Sequence, residues 1–446
     1  MGDRRLSARL VSLAATFARF PSLSFPKAAG DEATLEATYR FLNNGAVTPE
    51  RVLAPHYAAT VERCAQAGLV VVCHDTTEFR FSSEREGLGR ISAGDHGFLG
   101  HFGLAVAVGT RAPLGVLGLR TLFREGTPPK TRRKPPEERE SRRWLELVEE
   151  VAGRLGDEAS NAVHVMDREA DGYELFAELV AKKRRFVVRL QFDRVIETAS
   201  GRVGVRESTA RCEALLSRTV ALSERRSQPR DPPSRAKKHP MRPARTAELS
   251  ISAQAVNFER PADLRSGPES IRVNVVLVQE LNPPDGLEPV EWGLITTEPV
   301  ETAEQVAAVV DCYRLRWTIE EYFKALKTGC AYEKRQLESR PALLNALAIF
   351  TSVAWLLLTL RTLARDDHDF PADQVLSPLK LRVLQGHKRT HLRPGATIRE
   401  AMLAVAALGG HLKNNGEPGW IVLGRGMEDL LLLEHGAAIA LGCDQS

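Results

Sequence analysis

The order of its strand-like and helix-like segments restricts this chain more than any other property. Leu69-Val70-Val71-Val72-Cys73 is a short apolar run, rich in β-branched residues and bounded by His74-Asp75, and reads as a buried strand. Residues 103–108 and 114–122 read the same way, with glycine-rich punctuation between them. Residues 141–155 (SRRWLELVEEVAGRL) space their apolar positions by three and four, the stripe of an amphipathic helix. Residues 162–166 form a fourth strand ending at Asp167, residues 171–183 a helix and residues 185–190 a fifth strand. Packing rules make such a series a mixed sheet with helices on its faces.

Residues 191–290 break the alternation. Short Val/Ile-rich pieces at 247–256 and 271–278, turn residues and a basic run mark a mostly β insertion. A long helix is then expected over 302–328. Ahead of the first strand, residues 5–45 carry two apolar runs at helical spacing, and Thr48-Pro49-Glu50 caps and opens a helix over 48–67. Residues 340–446 are mainly helical, most clearly at 342–360 and 398–408. The expected fold is α/β: a ribonuclease-H-like core over 67–366, interrupted by 191–290 before its last helix. A helical N-terminal domain (1–66) and a helical C-terminal domain (367–446) flank it.

Composition narrows the class. Hydrophobic residues make up 43% and charged residues 26% of the 446, which excludes wholesale disorder. No window approaches the ~20 uninterrupted apolar residues of a bilayer span; the longest candidate, 346–360, contains Thr351, Ser352 and Thr359. The start, MGDRRLSARL, lacks the apolar segment of a secretion signal. Six scattered cysteines without a CxxC pair argue against a disulfide scaffold or a cysteine zinc site. The chain reads as cytosolic. Its net charge of +4 says less than where the charge lies. Residues 224–245, with Arg235, Lys237, Lys238 and Arg242, hold eight Lys/Arg against two acids, and 126–143 form a second Pro-rich charged stretch. Arg4, Arg5 and Arg9 add a third. Each alone is an ordinary solvated loop; three around one core fit phosphate contacts along a polyanion.

Asp75 and Asp167 each close an apolar strand, the edge at which open α/β sheets bind ligands. A metal ion is a usual partner for such an acid, and a turn or cap is the plainer alternative. Glu169 and Asp171 read as caps of the following helix better than Asp167 does. In Tyr313-Arg-Leu-Arg316-Trp-Thr-Ile-Glu320-Glu-Tyr-Phe-Lys-Ala-Leu-Lys327, helical spacing sorts the charges. At about 100° per residue from Tyr313, Glu320 lies near −20°, Lys327 near −40° and Arg316 near −60°. One stripe thus carries a carboxylate, a phenol and two cations, beyond what an Arg316–Glu320 surface pair alone explains. His101 reads as a hydrogen-bonded sheet residue.

These residues resemble the DDE-type transposases of bacterial insertion sequences, in the insertion-sequence-four family, the group of the kanamycin-resistance transposon's transposase. The family signature Tyr-x2-Arg-x3-Glu-x6-Lys is matched at every interval by Tyr313, Arg316, Glu320 and Lys327. Asp167-Arg168-Glu169-Ala170-Asp171 is similar to the second-aspartate segment and His74-Asp75-Thr76-Thr77 to the first. The segment opened by Trp292 is similar to the strand and turn leading to the signature helix. Gly2-Asp3…Arg9-Leu10 and Tyr39-Arg40-Phe41 resemble the DNA-binding portion.

The resemblance implies that Asp75, Asp167 and Glu320 bind two Mg²⁺ ions, with Mn²⁺ as a substitute, and that no small molecule is a substrate. It implies that Tyr313, Arg316 and Lys327 grip phosphates near the cleaved end, and that Trp292 stacks a flipped base; a core or sheet-face tryptophan is the alternative. Arg189 becomes a phosphate contact by the same match, and Arg5, Arg9, Tyr39 and Arg40 fall in the DNA-binding portion. The implied reaction is cut-and-paste transposition: a nick, a hairpin, its hydrolysis and joining to target DNA. It is carried out by a homodimer on paired terminal inverted repeats, with its contact in 370–446 around 420–440. Relatives carry a further helical segment before this start. An N-terminally shortened, DNA-binding or inhibitory derivative is therefore the rival reading, beside a metal-dependent nuclease that cuts without joining.

Overall fold

The strand that begins at Val70 does not stop at Asp75. In the computed structural model, which describes residues 3–19, 23–81, 85, 87–92, 95–124, 139–199, 201–224, 242–366, 369–412 and 416–440, it runs Val70–Phe81. The sequence expectation of a strand ending at Asp75 is corrected. Beyond that residue Thr77, Phe79 and Phe81 are buried while Glu78 and Arg80 are not, the period-two pattern of a strand with one covered face.

Chain order gives α1 (Arg4–Arg19), α2 (Phe25–Ala29), α3 (Glu32–Leu42), α4 (Pro49–Ala67), β1 (Val70–Phe81), β2 (Gly89–Ser92), β3 (Asp95–Ala107), β4 (Pro113–Leu122) and α5 (Arg142–Leu155). There follow β5 (Ala162–Met166), α6 (Tyr173–Ala181), β6 (Arg185–Arg189), β7 (Val195–Thr198), β8 (Gly201–Gly204), α7 (Val205–Ala210), β9 (Ala214–Leu222), β10 (Arg245–Glu259), β11 (Ser270–Leu281), β12 (Glu291–Thr296) and α8 (Ala303–Arg314). The chain closes with α9 (Trp317–Lys324), α10 (Arg340–Asp366), α11 (Pro378–Gly386), α12 (Ile398–Leu408) and α13 (Trp420–Ala440). Two compact units result, Met1–Asn161 with Trp317–Ser446, and Ala162–Arg316.

In the first unit β3 pairs antiparallel with β1 on one side and with β2 and then β4 on the other. Directly opposed residues share a face, so the register sorts the sheet's two sides. Thr76 faces His101 across the ladder, and both meet α5: Thr76 Oγ1 lies 3.0 Å from Arg143 Nε, and the Trp144 ring stands edge-on to His101 at 4.5 Å. His101 Nδ1 is 2.9 Å from Thr76 Oγ1, a hydrogen-bonded sheet residue as its sequence context suggested. Asp75 pairs with Phe102 on the opposite face, where Tyr322 and Phe323 of α9 each approach Phe102 to 5.6 Å.

Helix α10 is long and apolar enough to cross a bilayer, yet 72% of its apolar window is buried within the protein, the condition of a core helix. Its Phe350 stacks on Phe17 at 5.2 Å, its buried Asn345 donates to the carbonyls of Leu42 and Val47, and Trp355 Nε1 donates to Pro113 O at 2.8 Å. Helices α12 and α13 cross with their backbones touching. A Cβ on Gly426 would stand 1.8 Å from the Val405 carbonyl oxygen.

The second unit is built on a mixed sheet in the order β5-β6-β12-β11-β10-β9, parallel between β5 and β6 and antiparallel thereafter. The connection from β5 to β6 through α6 is a βαβ unit, fastened by Phe176 stacked on Phe186 at 5.6 Å. Residues 191–290 supply β7 to β11 and α7.

The helix expected over 302–328 is corrected to three pieces. It breaks after Arg314, where Leu315 N–H is shared between the Asp311 and Cys312 carbonyls and Arg316 N–H returns to Tyr313. That tightening is of the i−3 kind. A π turn at Ala325–Gly329, closed by Cys330 N–H on Ala325 O, breaks it again. No proline marks either place, and the 100° rule does not carry from Tyr313 to Lys327.

Half-buried His56 ties α4 to β4 by accepting from Val116 N–H at 3.0 Å through Nε2. Burial, helped by Arg63, lowers its pKa to about 4. A histidine that must stay neutral when folded but takes a proton near pH 6.5 when unfolded costs stability as pH falls below 6.5 toward 4. The unfolding free energy from denaturant titration should fall by about 2–3 kcal/mol between pH 7 and 4.5 from this group alone. His56→Gln should remove that part of the slope.

Candidate active site and nucleic-acid interface

In the first unit, strand β1 carries Asp75 part-exposed on the face against which α9 packs, with Thr76 N–H donating to its Oδ1 at 2.7 Å. Glu320 lies in the first turn of α9, also part-exposed. The π turn then delivers Lys327 back to β1: its Nζ donates to the Glu78 carbonyl, stands 5.4 Å over the Phe79 ring and lies 3.8 Å from Glu333. Burial lowers the pKa of this ammonium, against the pull of Glu333 and Glu78. The register of β1 and the seat of α9 thus bring Asp75, Glu320 and Lys327 to one side of this unit.

Among the described residues no group of three or more His, Cys, Asp or Glu side chains is gathered for a metal ion. Asp75 and Glu320 are nonetheless hard oxygen donors. Mg²⁺ commonly takes one or two protein carboxylates and completes its shell with water and substrate phosphates, so the pair fits such an ion.

In the second unit Asp167 follows β5 directly and caps the single 3₁₀ turn Arg168–Ala170, accepting from Glu169 N–H at 2.9 Å. The capping expectation is therefore reversed. Asp167 caps, whereas α6 starts from Gly172 without a side-chain cap. Asp171 is instead buried, accepting from the backbone N–H groups of Gln191 and Phe192 at 2.6 and 2.9 Å and pairing with Arg194 at 2.5 Å. It pins the turn after β6 to the segment that carries Asp167.

The end of β6 holds Arg189, whose guanidinium lies 5.7 Å over the Trp292 ring. Trp292 and Tyr313 rings stand 5.5 Å apart, and Arg189 is hydrogen-bonded to Tyr313. Burial lowers the pKa of Arg189, and Arg168 and Arg206 push the same way, so two further guanidiniums lie near the one that stands over this part-exposed tryptophan. Arg206, from α7, donates to Leu190 O at 3.2 Å and meets Glu291 at 3.1 Å, the chain neighbours of Arg189 and Trp292. Three sequence candidates, Arg189, Trp292 and Tyr313, therefore meet. Arg168 and Arg206 were missed; adjacency to Asp167 was the only signal for the first, and the second had none. Arg316 is part-exposed in the turn after α8.

Of the outlying candidates, Arg5 and Arg40 are exposed, Arg5 beside Asp3 at 3.5 Å and Arg40 beside Glu36 at 3.8 Å. Arg9 is part-exposed on α1, and Tyr39 packs edge-on against Phe25 at 6.2 Å. Arg242 donates to Ser223 O at 3.2 Å. Arg235, Lys237 and Lys238 lie outside the described residues, as does most of the 126–143 stretch.

Comparison with protein families gives two matches. The family described as transposase DDE domain matches residues 123–356, more than half of the chain, including Asp167, Glu320 and the Arg189–Trp292–Tyr313 group. The family described as transposase DNA-binding matches residues 1–47, which hold α1 to α3. Asp75 lies ahead of the larger match.

Asp171→Ala should destabilise the protein by about 3 kcal/mol, because it takes the buried acceptor away from the Gln191 and Phe192 N–H groups and the partner away from part-exposed Arg194. Trp292→Ala, at a part-exposed site, should cost far less. Chemical denaturation of both variants checks the contrast.

Proposed function

This chain belongs to the family of DDE-domain transposases, and we propose that it moves an insertion sequence of the insertion-sequence-four group by cut-and-paste transposition. The observation that carries this reading is the family match across Asp167 and Glu320, supported by the signature intervals from Tyr313 to Lys327. The core is ribonuclease-H-like in this proposal, and its substrate is double-stranded DNA in the cytoplasm, at the nucleoid.

Asp75, Asp167 and Glu320 are the carboxylates that would hold two Mg²⁺ ions, which when bound supply positive charge to the attacking and leaving oxygens of in-line displacement at phosphorus. The chain's own cations do the rest. Arg316 and Lys327 hold phosphates beside the scissile bond, where partial burial strengthens each charged contact. Tyr313 and Arg189, hydrogen-bonded to each other, both pack near Trp292, so its ring offers a firm platform for a base turned out of the duplex; such stacking is worth about 1–3 kcal/mol. A base held there lets a freed 3′-hydroxyl reach the opposite strand and close a hairpin. Helices α1 to α3, with Arg5, Arg9 and Arg40, bind the terminal repeats. Exposed Leu432 and Leu433 on α13 support a dimer contact near the C-terminus.

Duplex DNA from both flanks of the reading frame, incubated with protein and Mg²⁺ and run on a denaturing gel, tests the proposal. Wild type should give defined nicks, hairpins and joined products. Glu320→Gln should abolish cutting while end binding stays nearly intact, since it removes a metal ligand and no phosphate contact. Cutting by that variant at the wild-type rate would sink the assignment. Binding without cleavage would favour the regulator, and cutting without joining the nuclease. Trp292→Ala should allow the first nick but depress hairpin yield; a normal yield removes Trp292 from this role.

A further inference from the structure

No Asp or Glu occurs between Asp373 and Glu400, in a chain that is otherwise nearly balanced. Six cations fall in that interval: Lys380, Arg382, Lys388, Arg389, Arg393 and Arg399. Two are neutralised from outside it, Lys380 by Glu434 at 3.2 Å and Arg399 by Glu417 at 2.6 Å. Arg382, Lys388, Arg389 and Arg393 are exposed, and none forms an ion pair with a described residue.

The last three project from the connection between α11 and α12, and that connection is held in shape. Leu384 and Leu392 are buried at its base. The Thr390 hydroxyl donates to the Leu384 and His387 carbonyls, and Arg389 N–H donates to His387 Nδ1 at 3.2 Å. His391 is fixed in the left-handed region at φ 50°, an arrangement that only a constrained loop maintains. Its C-terminal end is clamped to the segment ahead of α11, where Ala372 N–H meets Ala396 O and Ile398 N–H meets Phe370 O.

A preshaped loop that presents separate exposed cations, rather than converging them on a pocket, suits a ligand with regularly spaced negative charges. We propose that residues 387–393 form a second DNA-binding surface, contacting duplex phosphates through Lys388, Arg389 and Arg393. The inference rests on the transposase reading for the nature of the polyanion. It assigns the contact to a part of the chain outside both family matches.

Salt dependence reads phosphate contacts directly, at a slope of roughly 0.9 per contact. The full chain and its Lys388→Gln/Arg389→Gln/Arg393→Gln variant should be titrated at 50 and 200 mM salt. One duplex would bear the element's ends and the other an unrelated sequence. A control variant, Lys182→Gln/Lys183→Gln/Arg265→Gln, removes three exposed cations elsewhere. Over that range wild type should lose about 40-fold more affinity than the loop variant, with the control behaving as wild type. A difference on both duplexes assigns the loop to flanking or target DNA; a difference on the first alone assigns it to the ends. Equal slopes for wild type and loop variant would overturn the inference and leave an acidic protein segment as the loop's partner. An equal drop in the control would overturn it as a net-charge effect. Glu320-dependent nicking, run in parallel, keeps the two readings apart: nicking with equal slopes defeats only this surface, whereas wild type that binds neither duplex defeats both.

Discussion

The antiparallel pairing of β1 with β3 decides which side chains of the first unit can meet. Because opposed residues share a face, a single register sends Thr76 and His101 to α5 and Asp75 and Phe102 to α9. A slip of β1 by one residue would turn Asp75 toward Trp144 and Thr76 toward α9. The aromatic packing of Phe79, Phe98, Phe102 and Tyr332 therefore does more than fill a core. It fixes the side from which an acid can be offered to a substrate.

The second unit applies the same logic with charge instead of register. Asp171 has no exposed side-chain surface, and its two backbone donors and Arg194 fasten the turn after β6. Arg206 then joins Leu190 to Glu291 across two strands. Arg189 and Trp292 sit on either side of that brace, so the insertion that supplies α7 is part of how the aromatic group is held.

Much of this was legible in the sequence. The strand and helix order and the mixed α/β class follow from apolar periodicity, and the resemblance singled out Arg189, Trp292 and Tyr313 one by one, without saying that they meet. What could not be read was where regular spacing stops. Asp75 looked like a strand end because the apolar run stops there, although the strand continues on alternate residues. The helix carrying the signature looked continuous because neither break contains proline, and each break is visible only in which carbonyl a given N–H selects. Asp171 and Arg206 were hidden for a related reason: their partners lie 20 or more residues away or on the main chain, where side-chain patterns carry no information.

The π turn at Ala325–Gly329 gives the last interval of the signature a meaning that counting residues does not. Read as α-helix, the seven steps from Glu320 to Lys327 are two turns along one stripe. The wide turn instead swings the lysine back to the main chain of β1, so the interval measures an arc rather than a rise. Such a segment has no tolerance in length. With one residue removed, the helix could close its ordinary hydrogen bonds, and a threonine would stand where the lysine now reaches the strand. Substitutions around this arc can accumulate, but an insertion or deletion inside it cannot pass as a small change.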